Sequence, residues 1–215
     1  IPGAIYVNLD RDLSGKIIAG KTGRHPLPDS QTFAESLSSW GIDHSTQVIA
    51  YDNNGGALAA RLWWMLRWLG HDKAAVLNGA WQAWSGRGFP VESGEVTRER
   101  KTFQPVEHPE YIADVELVEQ IREDEDYLLL DARSSKRYWG LEEPIDARAG
   151  HIPGAVTAPY ENNLDPEGFF LSPAELKERF DSLLAGLPSS QVIVYCGSGV
   201  TSNHNLLAMV EAGFE

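Results

Sequence analysis

The chain carries a single cysteine, and its surroundings could support nucleophilic chemistry. Cys196 directly follows Val192–Tyr195, an apolar, β-branched run that predicts a buried strand. Gly197 and Gly199 come next, and an apolar pattern at helical spacing follows them. A strand, a glycine loop and a helix place this side chain where backbone N–H groups and the helix dipole favour an anion. We therefore expect an activated thiolate, and favour it over a small, inert buried thiol.

The loop sequence resembles that of a known family. Residues 196–201 read Cys-Gly-Ser-Gly-Val-Thr, which is similar to the active-site loop of the rhodanese superfamily and, in detail, of its 3-mercaptopyruvate sulfurtransferases. The resemblance implies an α/β fold of two rhodanese-like domains, each an open, mostly parallel sheet flanked by helices. It further implies that Cys196 takes a sulfane sulfur from a donor as a persulfide. Four loop residues would then surround the donor, namely Gly197, Gly199, Val200 and Thr201.

An internal repeat supports the two-domain organisation. Residues 1–4 and residues 152–155 both read Ile-Pro-Gly-Ala. Val48–Asp52 parallels Val192–Cys196 in the same order, and the two copies lie 151 residues apart in the first match and 144 in the second. We infer a duplicated domain.

The duplication predicts the domain boundaries. We expect an N-terminal rhodanese-like domain over residues 1–92, a polar linker over 93–112 and a C-terminal catalytic domain over 113–215. Comparison of the copies leads us to expect that the start of the first and the end of the second are truncated. Asp52 stands where the second copy has Cys196, so we expect the first copy to be catalytically silent and Asp52 to cap a helix.

A proton relay is implied by the resemblance. In the mercaptopyruvate family, the serine of the loop, here Ser198, is hydrogen-bonded to an aspartate and a histidine of the first domain. The matching positions are Asp10, after the first Ile-Pro-Gly-Ala motif, and His25, in His-Pro-Leu-Pro. A neutral imidazole between a carboxylate and a hydroxyl could pass a proton to an enolate leaving group. A turn-stabilising Asp10 and a surface-loop His25 remain as alternatives.

Two arginines match positions that hold the donor in the family. Arg137 lies in Arg-Tyr-Trp-Gly, and Arg148 lies shortly before the Gly-His-Ile-Pro-Gly motif. The resemblance implies that they bind the carboxylate and carbonyl of an α-keto acid, and a guanidinium fork suits a carboxylate. Other polar residues are expected to be structural: Asp131, Arg133 and His151 as scaffold, and His204 on a helix surface.

Composition limits the partners. The formal net charge is −13, which disfavours nucleic acids and anionic membranes as partners. No apolar run approaches the ~20 residues of a membrane span. One cysteine excludes an internal disulfide, and the scattered histidines support no metal, so we expect no cofactor. A reducing, cytoplasmic location fits the free thiol. We expect a thiol acceptor such as thioredoxin or a low-molecular-weight thiol, or cyanide.

Three other functions are weighed against this one. A cysteine phosphatase needs Cys-x5-Arg, and the arginine position is Ser202, which argues against it. A thiosulfate sulfurtransferase is closer, but that branch usually carries a basic pair after the cysteine, where Gly197 and Ser198 stand here. A non-enzymatic carrier that receives a persulfide from a partner protein remains open. Turnover of a free donor by the purified protein would separate this carrier from an enzyme.

Overall fold

A computed structural model describes residues 1–215, and the chain divides into two compact units, residues 1–109 and residues 110–215. Each unit is an α/β structure with parallel strands and flanking helices. The expected fold class is therefore confirmed. No helix is both long and apolar enough to cross a membrane.

The first unit contains a two-stranded parallel sheet. Its strands are β1 (Val48–Ala50) and β2 (Ala74–Val76), paired so that Ile49 lies opposite Ala75. Four helices accompany them in chain order: α1 (Leu9–Asp12), α2 (Ser30–Ser39), α3 (Ala59–Trp68) and α4 (Ala80–Gly86). Helix α3 connects the two strands, as a crossover helix usually does between parallel strands.

Helices α2 and α3 supply most of the core of the first unit. Asp29 caps α2 by accepting the Thr32 N–H at 3.1 Å, as its position before the apolar pattern suggests. In α3, Trp63 and Trp68 are both buried. Trp68 belongs to a core cluster whose members include Phe33, Leu37, Met65, Leu66 and Leu69. A helix this apolar cannot remain at a surface, because its face must be removed from water.

The segment expected to be a polar linker packs onto the first unit. Phe103 is buried in the core of that unit. Lys101 N–H donates to the Ser38 carbonyl at 3.0 Å, and Val106 N–H donates to the Leu69 carbonyl at 3.1 Å. The compact unit therefore extends to residue 109, beyond the boundary at 92 that the sequence suggested. The polar composition of the segment gave no sign of this packing, because one buried aromatic side chain and backbone hydrogen bonds attach the segment to the first unit.

The second unit contains a three-stranded parallel sheet in the order β4–β3–β5. The strands are β3 (Leu128–Asp131), β4 (Val156–Thr157) and β5 (Val192–Tyr195). Pairing of β3 with β5 sets Asp131 opposite Tyr195. The carboxyl ends of these two strands therefore meet directly before Cys196.

Four helices belong to the second unit: α5 (Val115–Ile121), α6 (Ser135–Tyr138), α7 (Pro173–Leu184) and α8 (Ser202–Glu211). Helix α7 begins with the capping box that its sequence predicts, in which Ser172 and Glu175 satisfy each other's backbone N–H groups. Leu176 and Phe180 of α7 are fully buried and pack against Leu130 of β3. This core fixes the end of the sheet that carries the cysteine.

Candidate active site

Cys196 lies in the loop between β5 and α8, at intermediate exposure. Gly199 has a φ of +71°, a backbone conformation that glycine adopts without strain. The loop curls around the sulfur, which receives a hydrogen bond from the Thr201 hydroxyl and from the backbone N–H groups of three residues: Ser198, Val200 and Ser202. The position expected from the sequence thus provides donors aimed at one sulfur atom.

These donors change the acidity of the thiol. Burial alone would raise the pKa of Cys196, because a charged sulfur loses its hydration. The Thr201 hydroxyl and the backbone N–H groups outweigh burial, so the pKa of the thiol lies below its ordinary value. The thiolate is the nucleophilic form, and this loop increases its share at neutral pH.

Arg137 lies on α6 and is engaged by two carboxylates of its own chain. Its Nε lies 3.1 Å from both oxygens of Glu143, and its Nη2 lies 2.8 Å from Glu143 Oε1 and 2.7 Å from Asp146 Oδ2. A bidentate contact of this kind is the one expected between Arg137 and the carboxylate of a donor. Glu143 already occupies this edge of the guanidinium, so only Nη1 remains for another anion.

A buried ion pair continues this network toward the sheet. The Arg133 guanidinium donates to Asp131, with Nη2 2.6 Å from Oδ2, and both side chains are nearly inaccessible to water. Arg133 also donates to the Gly150 carbonyl at 2.6 Å and lies 3.4 Å from Glu143. Glu143 therefore bridges Arg133 and Arg137. The scaffold role expected for Asp131 and Arg133 agrees with these contacts.

Arg148 and His151 lie in the same loop region and differ from Arg137. Arg148 is exposed and forms no hydrogen bond or ion pair within the chain. The Nδ1–H of His151 donates to the Tyr138 carbonyl at 2.8 Å, and the His151 ring stacks on Tyr138 with centroids 3.8 Å apart. Arg148 is therefore an available cation, whereas His151 is a structural residue.

In the first unit, Asp10 and His25 are brought together. Asp10 lies in α1 with its side chain largely exposed, and its Oδ1 is 3.1 Å from His25 Nε2. The buried Arg61 of α3 donates to the His25 carbonyl at 3.3 Å and to the Leu13 carbonyl at 3.2 Å. The sequence thus found a pair fifteen residues apart that the fold does assemble.

A family model for the rhodanese-like domain matches the chain twice, over residues 1–87 and over residues 114–215. The chain belongs to the rhodanese-like family. It is 44% identical over 215 residues to a probable 3-mercaptopyruvate sulfurtransferase of Pseudomonas aeruginosa, covering 100% of this chain and 76% of that protein.

Two further comparisons place this rhodanese-like chain among sulfurtransferases. It is 36% identical over 217 residues to a putative thiosulfate sulfurtransferase, SseB, of Mycobacterium tuberculosis, covering 99% of this chain and 75% of that one. It also resembles the crystal structure of SseA, a 3-mercaptopyruvate sulfotransferase from Escherichia coli, with a TM-score of 0.83 and 31% identity. That match covers 99% of this chain and 78% of the SseA chain.

The first rhodanese-like unit has a carboxylate in the place of the thiol. Asp52 accepts four backbone N–H groups of its own loop, at 2.7 to 2.9 Å, from Asn54, Gly56, Leu58 and Ala59. The last two begin α3, so Asp52 does satisfy the start of the helix, although Leu58 is the residue at the cap position. Both units therefore build an anion-binding loop after a parallel strand.

Two findings depart from the sequence analysis. His204 was expected on a helix surface but is fully buried, with Nδ1 3.1 Å from Asn163 Nδ2 and its ring stacked on Phe170. Asn203 and Glu143 were not predicted to have any role. Asn203 contacts the cysteine loop at Gly199, and Glu143 contacts Arg137. Helical spacing could have shown that residues 203–205 lie near the packed start of α8, but their partners come from distant parts of the chain.

Proposed function

We propose that this protein is a sulfurtransferase that moves a sulfane sulfur from 3-mercaptopyruvate through a Cys196 persulfide to a thiol or cyanide. The observation that carries the proposal is the only thiol of the chain, hydrogen-bonded by its own loop so that its pKa is lowered. The relatives with this fold are named for mercaptopyruvate and thiosulfate sulfur transfer, which supports the same reaction type.

In the first step, the Cys196 thiolate attacks the sulfur of the donor. A sulfur–sulfur bond forms, the carbon–sulfur bond of the donor breaks, and the electron pair leaves on the enolate of pyruvate. The enolate then takes up a proton to give pyruvate. The Thr201 hydroxyl and the loop N–H groups stabilise the attacking sulfur while it is anionic.

In the second step, an acceptor thiolate attacks the outer sulfur of the persulfide. The acceptor leaves as a persulfide and Cys196 returns as a thiolate, so no cofactor takes part. We propose thioredoxin or a small thiol as the acceptor and a reducing compartment such as the cytoplasm as the location, because the single cysteine lacks a resolving partner. The location is tested by fusing the protein to a fluorescent reporter in its own cells. Fluorescence found only in an oxidising compartment would contradict the proposed location.

We propose that Ser198, His25 and Asp10 form the relay that delivers a proton to the enolate. The 3.1 Å contact of His25 with Asp10 supports the assignment, because a carboxylate holds an imidazole in one orientation and tautomer. His25→Gln is expected to lower kcat with 3-mercaptopyruvate more than kcat with thiosulfate, whose leaving group is not an enolate. An equal loss with both donors would remove His25 from the relay.

Donor anchoring is assigned to Arg148 and to Nη1 of Arg137, with Gly197, Gly199, Val200 and Thr201 forming the wall around the sulfur. Arg148 is exposed and without an ion pair, which leaves its fork free for a carboxylate. Arg148→Lys is expected to raise KM for 3-mercaptopyruvate about tenfold, the cost of one lost bidentate contact, with kcat little changed. An unchanged KM would contradict this role.

The decisive test compares two donors and one substitution. Steady-state sulfur transfer to a thiol is measured with 3-mercaptopyruvate and thiosulfate in parallel, using the wild-type protein and Cys196→Ser. We expect a higher kcat/KM with 3-mercaptopyruvate and no turnover in the variant, because a hydroxyl cannot hold a sulfane sulfur.

The outcomes separate the candidate functions. A thiosulfate preference would keep Cys196 as the nucleophile and change the donor. Activity in Cys196→Ser would exclude the persulfide mechanism. Wild-type protein that transfers sulfur only after loading by a partner protein would make it a carrier, in place of a small-molecule enzyme.

A further inference from the structure

Asn203 is a buried polar residue in the first turn of α8, directly behind the cysteine loop. Its side chain is 4% exposed and donates through Nδ2 to the carbonyls of Gly199, at 2.9 Å, and Val200, at 3.2 Å. The Asn203 backbone N–H also donates to the Val200 carbonyl at 3.2 Å. Asparagine is a weak helix former, and burying its side-chain amide costs free energy unless the amide is hydrogen-bonded. The contacts with Gly199 and Val200 compensate for this cost.

The geometry of the peptide bond connects these carbonyls to the sulfur. In a planar trans peptide, the C=O and the N–H point in opposite directions. The Gly199 carbonyl shares its peptide plane with the Val200 N–H, which is one of the donors to Cys196. A donor that holds the carbonyl on the outer side of the loop therefore holds the N–H on the inner side, toward the sulfur.

We propose that Asn203 is a positioning residue of the active-site loop, whose side-chain amide fixes the Gly199–Val200 peptide so that its N–H faces Cys196. Asn203 acts through the backbone and does not itself donate to the sulfur. It also connects Gly199, which has a φ of +71°, to the first turn of α8. Glycine has no side chain to restrict φ and ψ, so contacts such as this one contribute to the orientation of the Gly199–Val200 peptide.

The other groups that influence the acidity of Cys196 are the same in the wild-type protein and in every variant. Besides the Val200 N–H, the direct donors are the Thr201 hydroxyl and the N–H groups of Ser198 and Ser202, and no substitution at Asn203 removes any of them. The charged and titratable groups at the neighbouring strand ends are Asp131, Arg133 and Tyr195. All of them remain in each variant below, so a change reports on the peptide orientation.

The test is the pH profile of alkylation of Cys196 by iodoacetamide, a neutral reagent that reacts with the thiolate. With one cysteine in the chain, the rate reports this site alone. Asn203→Leu keeps the approximate shape and removes the donor. We expect its profile to move to higher pH, so that below the midpoint the rate falls about tenfold while the high-pH plateau is unchanged.

Two further variants of the same residue complete the series. Asn203→Ser is expected to recover most of the wild-type profile, because a serine hydroxyl in a helix can donate to the carbonyl four residues earlier, here that of Gly199. Asn203→Ala removes the donor without adding bulk, and it decides the question if the leucine variant does not fold. A wild-type profile in a folded Asn203→Leu or Asn203→Ala would overturn the proposal.

The matched control is Asn205→Leu. Asn205 is a fully buried asparagine in the same helix, and its Nδ2 donates to the Ala158 carbonyl at 2.8 Å, away from the loop. We expect it to lower the unfolding midpoint without moving the alkylation profile. An equal displacement in both variants would mean that any damage to α8 has this effect, and would also overturn the proposal.

The proposal deepens the proposed function but can fail separately from it. Alkylation needs no sulfur donor, so the profiles test Asn203 whichever donor the protein uses. Absence of sulfur transfer in the wild-type protein, together with the expected alkylation profiles, would count against the sulfurtransferase reaction alone.

Discussion

At the scale of single residues, Glu143 connects the two arginines of the second unit. Its side chain is 5% exposed and contacts Arg133 and Arg137, while the N–H groups of Ile145 and Asp146 donate to it at 3.1 and 2.9 Å. The Arg137 guanidinium, followed by these backbone groups, lowers the pKa of Glu143 to about 2. The carboxylate therefore stays charged at any pH at which the protein is expected to work.

This pKa predicts how stability depends on pH. The folded state holds Glu143 ionised below its ordinary value of 4.5, so between about 4.5 and about 2 the unfolded chain binds more protons. The contribution of Glu143 is complete above that window and is lost as the pH falls through it. We expect Glu143→Gln to lower the urea midpoint at neutral pH, and the gap from wild type to shrink as the pH is lowered from about 6 to about 3.

The neighbouring carboxylate offers a control. Glu142 pairs with Lys136 at 2.7 Å, but both side chains are mostly exposed, so Glu142→Gln should leave the urea midpoint nearly unchanged. A gap between wild type and Glu143→Gln that stays constant with pH would mean that Glu143 acts through packing rather than through its charge.

The residues that sequence could and could not identify differ in how their roles arise. Cys196 was identified because its type, its uniqueness and the glycines beside it are local signals. Asp131 and Arg133 were also readable, since they pair two residues apart. Glu143, Asn203 and His204 escaped, because an ordinary acidic, amide or imidazole side chain gains its role only from partners that tertiary folding supplies.

At the scale of elements, the same strand–loop–helix unit serves two anions. In the second unit the loop between β5 and α8 surrounds a sulfur, and in the first the loop between β1 and α3 surrounds the Asp52 carboxylate. The strand and helix patterns were visible in the sequence, and an open, mostly parallel sheet was implied by the family resemblance. The hydrogen bonds that close each loop were not visible, because they depend on backbone angles.

The first loop gives a stability prediction. Asp52→Ala removes the acceptor of four backbone N–H groups, two of them at the start of α3. We expect a loss of about 2 kcal/mol in the free energy of unfolding, the scale of a lost charge-assisted hydrogen bond network partly replaced by water. Asp52→Asn, which keeps one acceptor oxygen, should lose less. Urea unfolding followed by tryptophan fluorescence measures both.

An exposed aspartate of the same unit is the control. Asp72 lies 3.9 Å from Arg67 and is 84% exposed, so Asp72→Ala should change the free energy of unfolding by less than about 0.5 kcal/mol. If Asp52→Ala lowered the free energy of unfolding by no more than Asp72→Ala does, the stability of the loop would not depend on the Asp52 carboxylate.

At the scale of the whole molecule, the two rhodanese-like units share structural contacts but differ in the residue at the anion-binding position. In each unit a tyrosine hydroxyl after a strand accepts a hydrogen bond from the nitrogen of the isoleucine in the Ile-Pro-Gly-Ala turn, both at 3.1 Å: Tyr51 from the terminal ammonium of Ile1, and Tyr195 from the backbone N–H of Ile152. The turn of the second unit also needs its glycine, because a Cβ on Gly154 would lie 1.9 Å from the Arg122 carbonyl oxygen. These repeated contacts explain why the motif was recognisable in both copies although only one carries a thiol.

The net charge of −13 repels any anionic donor that approaches the protein. Arg137 does not supply a free positive charge, because Glu143 and Asp146 neutralise it. We therefore expect long-range repulsion to outweigh local attraction, so that kcat/KM rises with salt, and rises more steeply for the thiosulfate dianion than for the 3-mercaptopyruvate monoanion. Alkylation of Cys196 provides a donor-free measurement, in which the rate with anionic iodoacetate should rise with salt relative to the rate with neutral iodoacetamide. A ratio that falls with salt would show that exposed cations such as Arg148 dominate the field at the sulfur, and the site would then attract anions despite the charge of the whole molecule.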